Sequence, residues 1–355
     1  LIDLAAGVDP GPFELTPELL EMALDHRMGG LLWSWAQDHA PEGELRSAVA
    51  IRDLRTQAHT TRVWSLLEAC VQRLGDAGIE VASIKGPTTE VRWYSRPGER
   101  PTSDVDLWLS PYQIDRAGDA LAILQPDHPW SSVFGDLAAK GVVQTVTAKV
   151  DNIEVDLHLD LFKTGFPTLQ AFAIWNAAQS FEVPGGTMVP ILDSTAALFH
   201  FLIHLNKDRF QRLLGYADIV RIVDSGIDWD RLVALAAGEG LATPTFAALQ
   251  VVYSDVGLPL PSDAPVPSGP RTWLWRLIWP RRIRLRGMEG RRRFRRRQLL
   301  IPALANRSAT AVAEVYALAV APPEPVLRLG ATVSGRQASR LRTWIATVLD
   351  RRRMA

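Results

Sequence analysis

Apolar and polar positions change period several times along the chain, and each change marks an element. Over 61–76 the apolar residues Val63, Leu66, Leu67, Cys70, Val71 and Leu74 recur at the three- and four-residue spacing of one helix face, and Gly78 closes the run. Residues 14–58 carry helical spacing with polar faces, broken at His39–Glu42. Ile79–Ile84 reads as a short strand, and Pro87 then stands where the first turn of a helix over 88–94 would begin. The stretch SRPGERP, 95–101, holds two Pro and a Gly and reads as a loop.

The period then shifts to two. In SDVDLWL, 103–109, Asp104, Asp106 and Trp108 alternate with Val105, Leu107 and Leu109, so one strand face carries both carboxylates. A helix from about Tyr112 to Leu124 is followed by strands at about 142–150 and 153–161. Asp151-Asn152 between them tolerates the positive φ of a tight hairpin. On the second of these strands Glu154, Asp156, His158 and Asp160 share a face. Beyond residue 166 the pattern turns helical. Asp193 or Ser194 caps a helix to about Asn206, a second covers 211–224 and stops at Gly226, and a third covers roughly 229–239. Residues 257–270 hold five Pro, the mark of a linker or long loop.

Charge adds a second layer. The 355 residues have a formal net charge of zero, but 271–300 holds twelve Arg and one acid, Glu289. The remainder carries 27 basic and 38 acidic residues, a net of −11. Ten Arg fall between 281 and 297, just after Trp273, Trp275 and Trp279. Three roles are open for this segment: a helix packed by its Trp and Leu side with Arg in water, nucleic-acid contact, or an anionic membrane surface. Hydrophobic residues make up 47% of the chain, which excludes a disordered protein. The single cysteine, Cys70, cannot form an internal disulfide and sits on an apolar stripe, which suits a structural thiol in the reducing cytoplasm. The opening LIDLAAGVDPGPF has no basic n-region, so it is not expected to act as a secretory leader, and no run is long and apolar enough to span a membrane.

Two carboxylates at i and i+2 on one strand repel each other and resist burial, and a divalent cation removes that penalty. Mg²⁺ suits one or two carboxylates plus substrate phosphates, and Mn²⁺ can take its place. A solvent-facing strand with alternating acids would give the same local pattern. Three features argue against that: a strand–Lys-Gly–helix unit stands just upstream, an Arg-Pro-x-Ser leads into the pair, and a second acidic strand face follows.

Residues 84–109, IKGPTTEVRWYSRPGERPTSDVDLWL, resemble the signature of the uncharacterised nucleotidyltransferase family of bacteria, within the polymerase-β-like superfamily. Lys85, Gly86, Tyr94, Arg100, Ser103, Asp104, Asp106 and Leu107 match it in order, and Asp156-Leu157-His158 fits its later Asp-Leu-His. The resemblance runs over roughly 60–225. It implies an α+β fold: a small mixed β-sheet nucleotidyltransferase core with flanking helices and additional helical regions. The expected division is an N-terminal helical region 1–60, the core 61–165, a helical substrate-side region 166–256, the Pro-rich linker 257–270, and an Arg-rich segment with C-terminal helices, 271–355.

The resemblance also implies roles. Asp104, Asp106 and Asp156 would hold metal and carry catalysis, with Glu154 competing for the third position. Lys85, Gly86, Thr88, Arg100 and Ser103 would bind the nucleotide, an NTP such as ATP. His158, His204, Lys207 and Asp218 are candidates for the substrate side. A buried partner such as Arg212 or Arg221 is the other expectation for Asp218, and a solvated polar face is the other reading for His200, His204 and Lys207. The superfamily has Gly-Gly or Gly-Ser after the first strand. Here Gly86 is followed by Pro87, which has no N–H to give a phosphate, so Thr88 is the substitute donor. The expected reaction moves an NMP from an NTP to an acceptor, whether small molecule, peptide, protein or RNA, with release of pyrophosphate. The rival is a non-catalytic, antitoxin-like module on the same fold that binds nucleotide or RNA.

Overall fold

The computed structural model describes residues 1–124, 145–159, 179–208, 210–266 and 272–273. The Arg-rich segment 281–297, Asp160 and the Lys207 side chain lie outside them.

The chain opens with α1 (Ile2–Ala6), α2 (Pro17–Asp25) and α3 (Gly29–His39). Thr16 caps α2, its hydroxyl accepting from Leu19 N at 3.2 Å. Next comes α4 (Glu44–Asp76), 33 residues and about 50 Å long. The separate helices expected on either side of residue 60 are therefore one. Residues 44–74 hold neither Gly nor Pro, and Thr56, Thr61 and Ser65 each bond the carbonyl four residues back. Gly78, at φ +66°, turns the chain into β1 (Val81–Ser83). Then follow α5 (Pro87–Trp93), β2 (Asp104–Leu109), α6 (Ile114–Leu121), β3 (Thr145–Val150) and β4 (Ile153–His158). Asp151 and Asn152 take φ of 49° and 65°, as the expected tight hairpin needs.

Among the described residues the sheet has six strands in the order β3-β4-β2-β1-β6-β5. Its last two, β5 (Gln179–Glu182) and β6 (Met188–Ile191), form an antiparallel hairpin in a region expected to be helical. β6 runs parallel to β1, β1 antiparallel to β2, and β2 parallel to β4. Helices α7 (Ser194–Lys207), α8 (Leu213–Asp224), α9 (Trp229–Gly238) and α10 (Ala242–Val256) complete the described fold. Asp193 caps α7, its carboxylate accepting from Thr195 N and Ala196 N at 3.0 Å.

The sheet divides two apolar cores. On one side Val105, Leu107, Leu109, Val155 and Leu157 pack with Val63, Leu67, Cys70 and Leu74 of α4 and Ala117 and Leu121 of α6. On the other, Ala82, Ile84 and Trp108 join the core of α1–α3 and α7–α10. The alternation read in SDVDLWL is thus the sheet's two faces. One face is sealed under α4, and the other carries the acids toward the helical half.

Candidate functional site

Strand register lines up the polar face. Asp104 pairs with Glu154, Asp106 with Asp156 and Trp108 with His158 across β2 and β4. On the far side of β4, Thr147 pairs with Asp156 and Thr145 with His158. Side chains in register share a face, so polar residues converge from three strands.

Each carboxylate has its own environment. Asp106 is 3% exposed. Burial opposes its charge, but Lys85 Nζ at 3.5 Å and His158 Nε2 at 2.6 Å hold its carboxyl well below the usual range. His158 is itself buried and held below its ordinary value by desolvation, so it is neutral and donates its one Nε2 proton to Asp106. Asp104 is pushed up to about 6, first by burial and then by the charge of Asp106. The Ser103 hydroxyl donates to Asp104 Oδ1 at 3.1 Å. Asp156 accepts from the Thr147 hydroxyl.

Donor atoms of Asp106, Asp156 and His158 lie within 4.8 Å of one another. The carboxylate oxygens suit a hard divalent cation, with His158 bonded to Asp106 as a partner that orients it. The raised Asp104 beside them fits the same need, since a cation would offset the burial and the repulsion that lift it.

The cations around these acids are mostly engaged. Lys85 reaches Asp106 and also His204 Nε2, at 3.0 Å. Burial alone would pull Lys85 down, but Asp106 and Asp104 raise it, so it stays charged. His204 Nδ1 lies 3.2 Å from Asp208. Arg100 makes a forked pair with Asp218, Nε to Oδ1 at 2.8 Å and Nη2 to Oδ2 at 2.9 Å. Tyr94 OH donates to the same Asp218 Oδ1 at 2.6 Å. The buried partner expected for Asp218 is therefore Arg100 rather than Arg212 or Arg221; the Arg221 guanidinium lies over the Tyr94 ring.

Gly86 holds φ +67°, and a Cβ there would meet the Asp104 carbonyl at 3.0 Å. The residue lets the β1–α5 turn close on β2. Thr88 is buried in that turn, its hydroxyl sharing a hydrogen bond with Ser83 and donating to the Lys85 carbonyl. It is not among the residues that line the cleft.

The cleft has a volume of about 360 Å³. Asp104, Asp106, Glu154, Asp156 and His158 of the sheet line it, with Lys85, Gly86 and Arg100. Phe201, His204 and Leu205 of α7 and Leu214, Gly215 and Asp218 of α8 also line it, His204 touching Lys85 and Asp218 touching Arg100. His200 is buried one turn away, its ring 5.9 Å from that of His204. Sequence reasoning missed Arg27, Thr145, Thr147, Asp208 and Arg212 as lining residues. The two Thr were within reach, since Thr145, Thr147 and Lys149 alternate on the hairpin's first strand. Arg27 had no signal, because it comes from the distant α2–α3 turn.

A family model described as an uncharacterised nucleotidyltransferase matches residues 15–254. No curated protein matches the chain. Among the described residues, no helix is long and apolar enough to cross a membrane.

Proposed function

The chain belongs to the uncharacterised nucleotidyltransferase family, and from that premise we propose a metal-dependent enzyme of the polymerase-β-like superfamily that moves an NMP from an NTP to an acceptor. The observation that carries this reading is the register of Asp106 with Asp156, with Asp104 on the same face and Lys85 against Asp106. In the reaction an acceptor oxygen forms a bond to the α-phosphorus and the bond to the bridging oxygen breaks. Pyrophosphate leaves with the electron pair, and the acceptor's proton passes to a base.

Asp104, Asp106 and Asp156 would hold Mg²⁺ or Mn²⁺. The bound cation would supply an activated attacking oxygen and neutralise charge on the leaving pyrophosphate. Asp156, steadied by Thr147, is also the proposed base. Ser103 orients Asp104, while Lys85 and His158 keep Asp106 ionised. Gly86 brings the β1–α5 turn within reach of the nucleotide. Asp218 acts through Arg100, which it fixes at the cleft edge beside the nucleotide. His158 and His204 border the proposed acceptor side, and Lys207 ends the helix that carries His204. The buried lone thiol suits a cytoplasmic protein.

The test is pyrophosphate release with each NTP and Mg²⁺ or Mn²⁺, using a lysate small-molecule and RNA fraction as acceptor pool. Wild type should show metal-dependent release, and Asp104→Asn/Asp106→Asn should not. Equal release by both proteins would sink the reading.

A second reading, a non-catalytic nucleotide- or RNA-binding module, draws support from the phosphate edge. Pro87 offers no N–H and the Thr88 hydroxyl is turned inward. NTP binding without any metal-dependent pyrophosphate release would favour it.

A further inference from the structure

Arg27 holds φ +57° at the turn between α2 and α3. L-residues other than Asn and Asp rarely take this left-handed backbone, and such strain persists only where the surroundings over-determine it. Here both neighbours are fixed. The His26 carbonyl accepts from Leu214 N, and its Nδ1 accepts from Leu213 N, both at 3.3 Å. His26 is held below its ordinary pKa by burial, which keeps that nitrogen an acceptor. Met28 is fully buried, and its N–H bonds the Ala23 carbonyl at 2.6 Å. The turn is thus bolted to the start of α8 on one side and into the helical core on the other. The residue between them has no choice of backbone.

The side chain that this strain aims lies in the cleft. Arg27 Nη1 is 3.5 Å from Ser103 Oγ, and Ser103 Oγ is 3.1 Å from Asp104 Oδ1. One hydroxyl therefore links the guanidinium to the carboxylate that begins β2. The cations first expected to meet phosphate are paired already, Lys85 with Asp106 and Arg100 with Asp218. Among the described residues Arg27 makes no ion pair, and Ser103 is its hydrogen-bond partner.

We propose that Arg27 is the residue that grips the nucleotide's non-transferred phosphates, brought to the sheet by the N-terminal helices. This rests on the nucleotidyl-transfer reading above. A guanidinium presents a planar fork of donors that matches phosphate oxygens. Aimed at the leaving pyrophosphate, it stabilises charge that grows as the bond breaks, with no reorganisation needed. It also supplies what the β1–α5 turn lacks, since Pro87 has no N–H and the Thr88 hydroxyl is turned to the Lys85 carbonyl.

The backbone strain offers a clean variant. Glycine accepts φ +57° without penalty, so Arg27→Gly removes the side chain and keeps the turn. The experiment is calorimetric titration of wild type, Arg27→Gly and Arg27→Lys with Mn²⁺ present. The ligands are the α,β-methylene analogues of the four NTPs, the four NMPs and inorganic pyrophosphate. Arg27→Gly should bind the preferred triphosphate analogue and pyrophosphate about tenfold or more weakly, the scale of one charge-assisted bond. Its NMP affinity and thermal midpoint should stay near the wild type's, and Arg27→Lys should fall between the two. Equal triphosphate affinity in wild type and Arg27→Gly would overturn the role of Arg27 and leave the enzyme reading standing. A wild type that binds none of these ligands would overturn both.

Discussion

His158 Nε2 meets Asp106 Oδ1 at 2.6 Å, although His158 is the register partner of Trp108, two residues further along the strands. The imidazole leans back along the strand and fixes the carboxylate that Lys85 also holds. Thr145, 3.5 Å from His158 Nδ1, steadies the other end of the ring. Partners of this kind orient a ligand and tune its basicity.

His158→Ala should therefore weaken Mn²⁺ binding roughly 10- to 100-fold, the usual cost of losing such a partner. The check is a Mn²⁺ titration followed by electron paramagnetic resonance, with a thermal melt of the same sample. Unchanged Mn²⁺ affinity in a folded variant would mean that His158 serves packing alone.

Arg100 and Asp218 form a buried forked pair, exposed by 8% and 2%. Removing one partner strands the other's charge in the protein interior, at about 3–5 kcal/mol. Asp218→Asn and Arg100→Met should each lower the unfolding free energy by that much, read from urea denaturation. The double variant should recover part of the loss, because neither charge is then left alone. Additive losses would show that the pair is not coupled.

Local pattern carried much of this fold. The alternation of Asp104, Asp106 and Trp108 gave the acidic face of β2, and Asp151-Asn152 gave the β3–β4 hairpin, because both signals lie within a few residues. The β5–β6 hairpin was lost because each strand has four residues and Pro190 sits in the second, where proline argues against a strand. Its link to the sheet is a single Ser83–Ile191 register pair, which no local pattern announces. Asp218 finds a partner 118 residues away, so spacing pointed to nearer arginines. Arg27 was hidden for a further reason: its backbone sign is imposed by His26 and Met28, which pack in separate places.

Gly30 has a strict spatial requirement. A Cβ there would stand 2.1 Å from the Gly98 carbonyl oxygen and 2.5 Å from that of Glu99. Both are backbone atoms in a loop held by Arg96, which bonds the Gly30 carbonyl and both oxygens of Asp53. Neither side can yield cheaply. Gly30→Ala should cost about 3 kcal/mol or more, at the upper end for overpacking, although alanine is the better helix former. Chemical denaturation reads this directly, and a wild-type midpoint would show that the 95–101 loop can move away from α3.

Glu90 gives the chain a pH dependence with a defined sign. The residue is 2% exposed, on α5. It accepts from Gly98 N at 2.5 Å and from Trp64 Nε1 at 3.4 Å. Burial outweighs those bonds and the nearby Arg100 and Arg96, and pushes its carboxyl up from 4.5 to about 6. The folded chain therefore holds this proton over a window where the unfolded chain has released it. Stability from Glu90 is full below about 4.5, falls as pH rises to about 6, and is level above that. The total loss is about 2 kcal/mol, since each tenfold change in proton affinity is worth about 1.4 kcal/mol. Glu90→Gln cannot ionise, so it should remove this descent. Urea denaturation of wild type and variant between about pH 4 and 8 gives a difference curve that isolates Glu90 from the other carboxylates. That curve should climb in the variant's favour between about 4.5 and 6 and then run flat. A curve flat throughout would mean that Glu90 holds its proton no more tightly folded than unfolded, and that its bonds to Gly98 and Trp64 fully offset its burial.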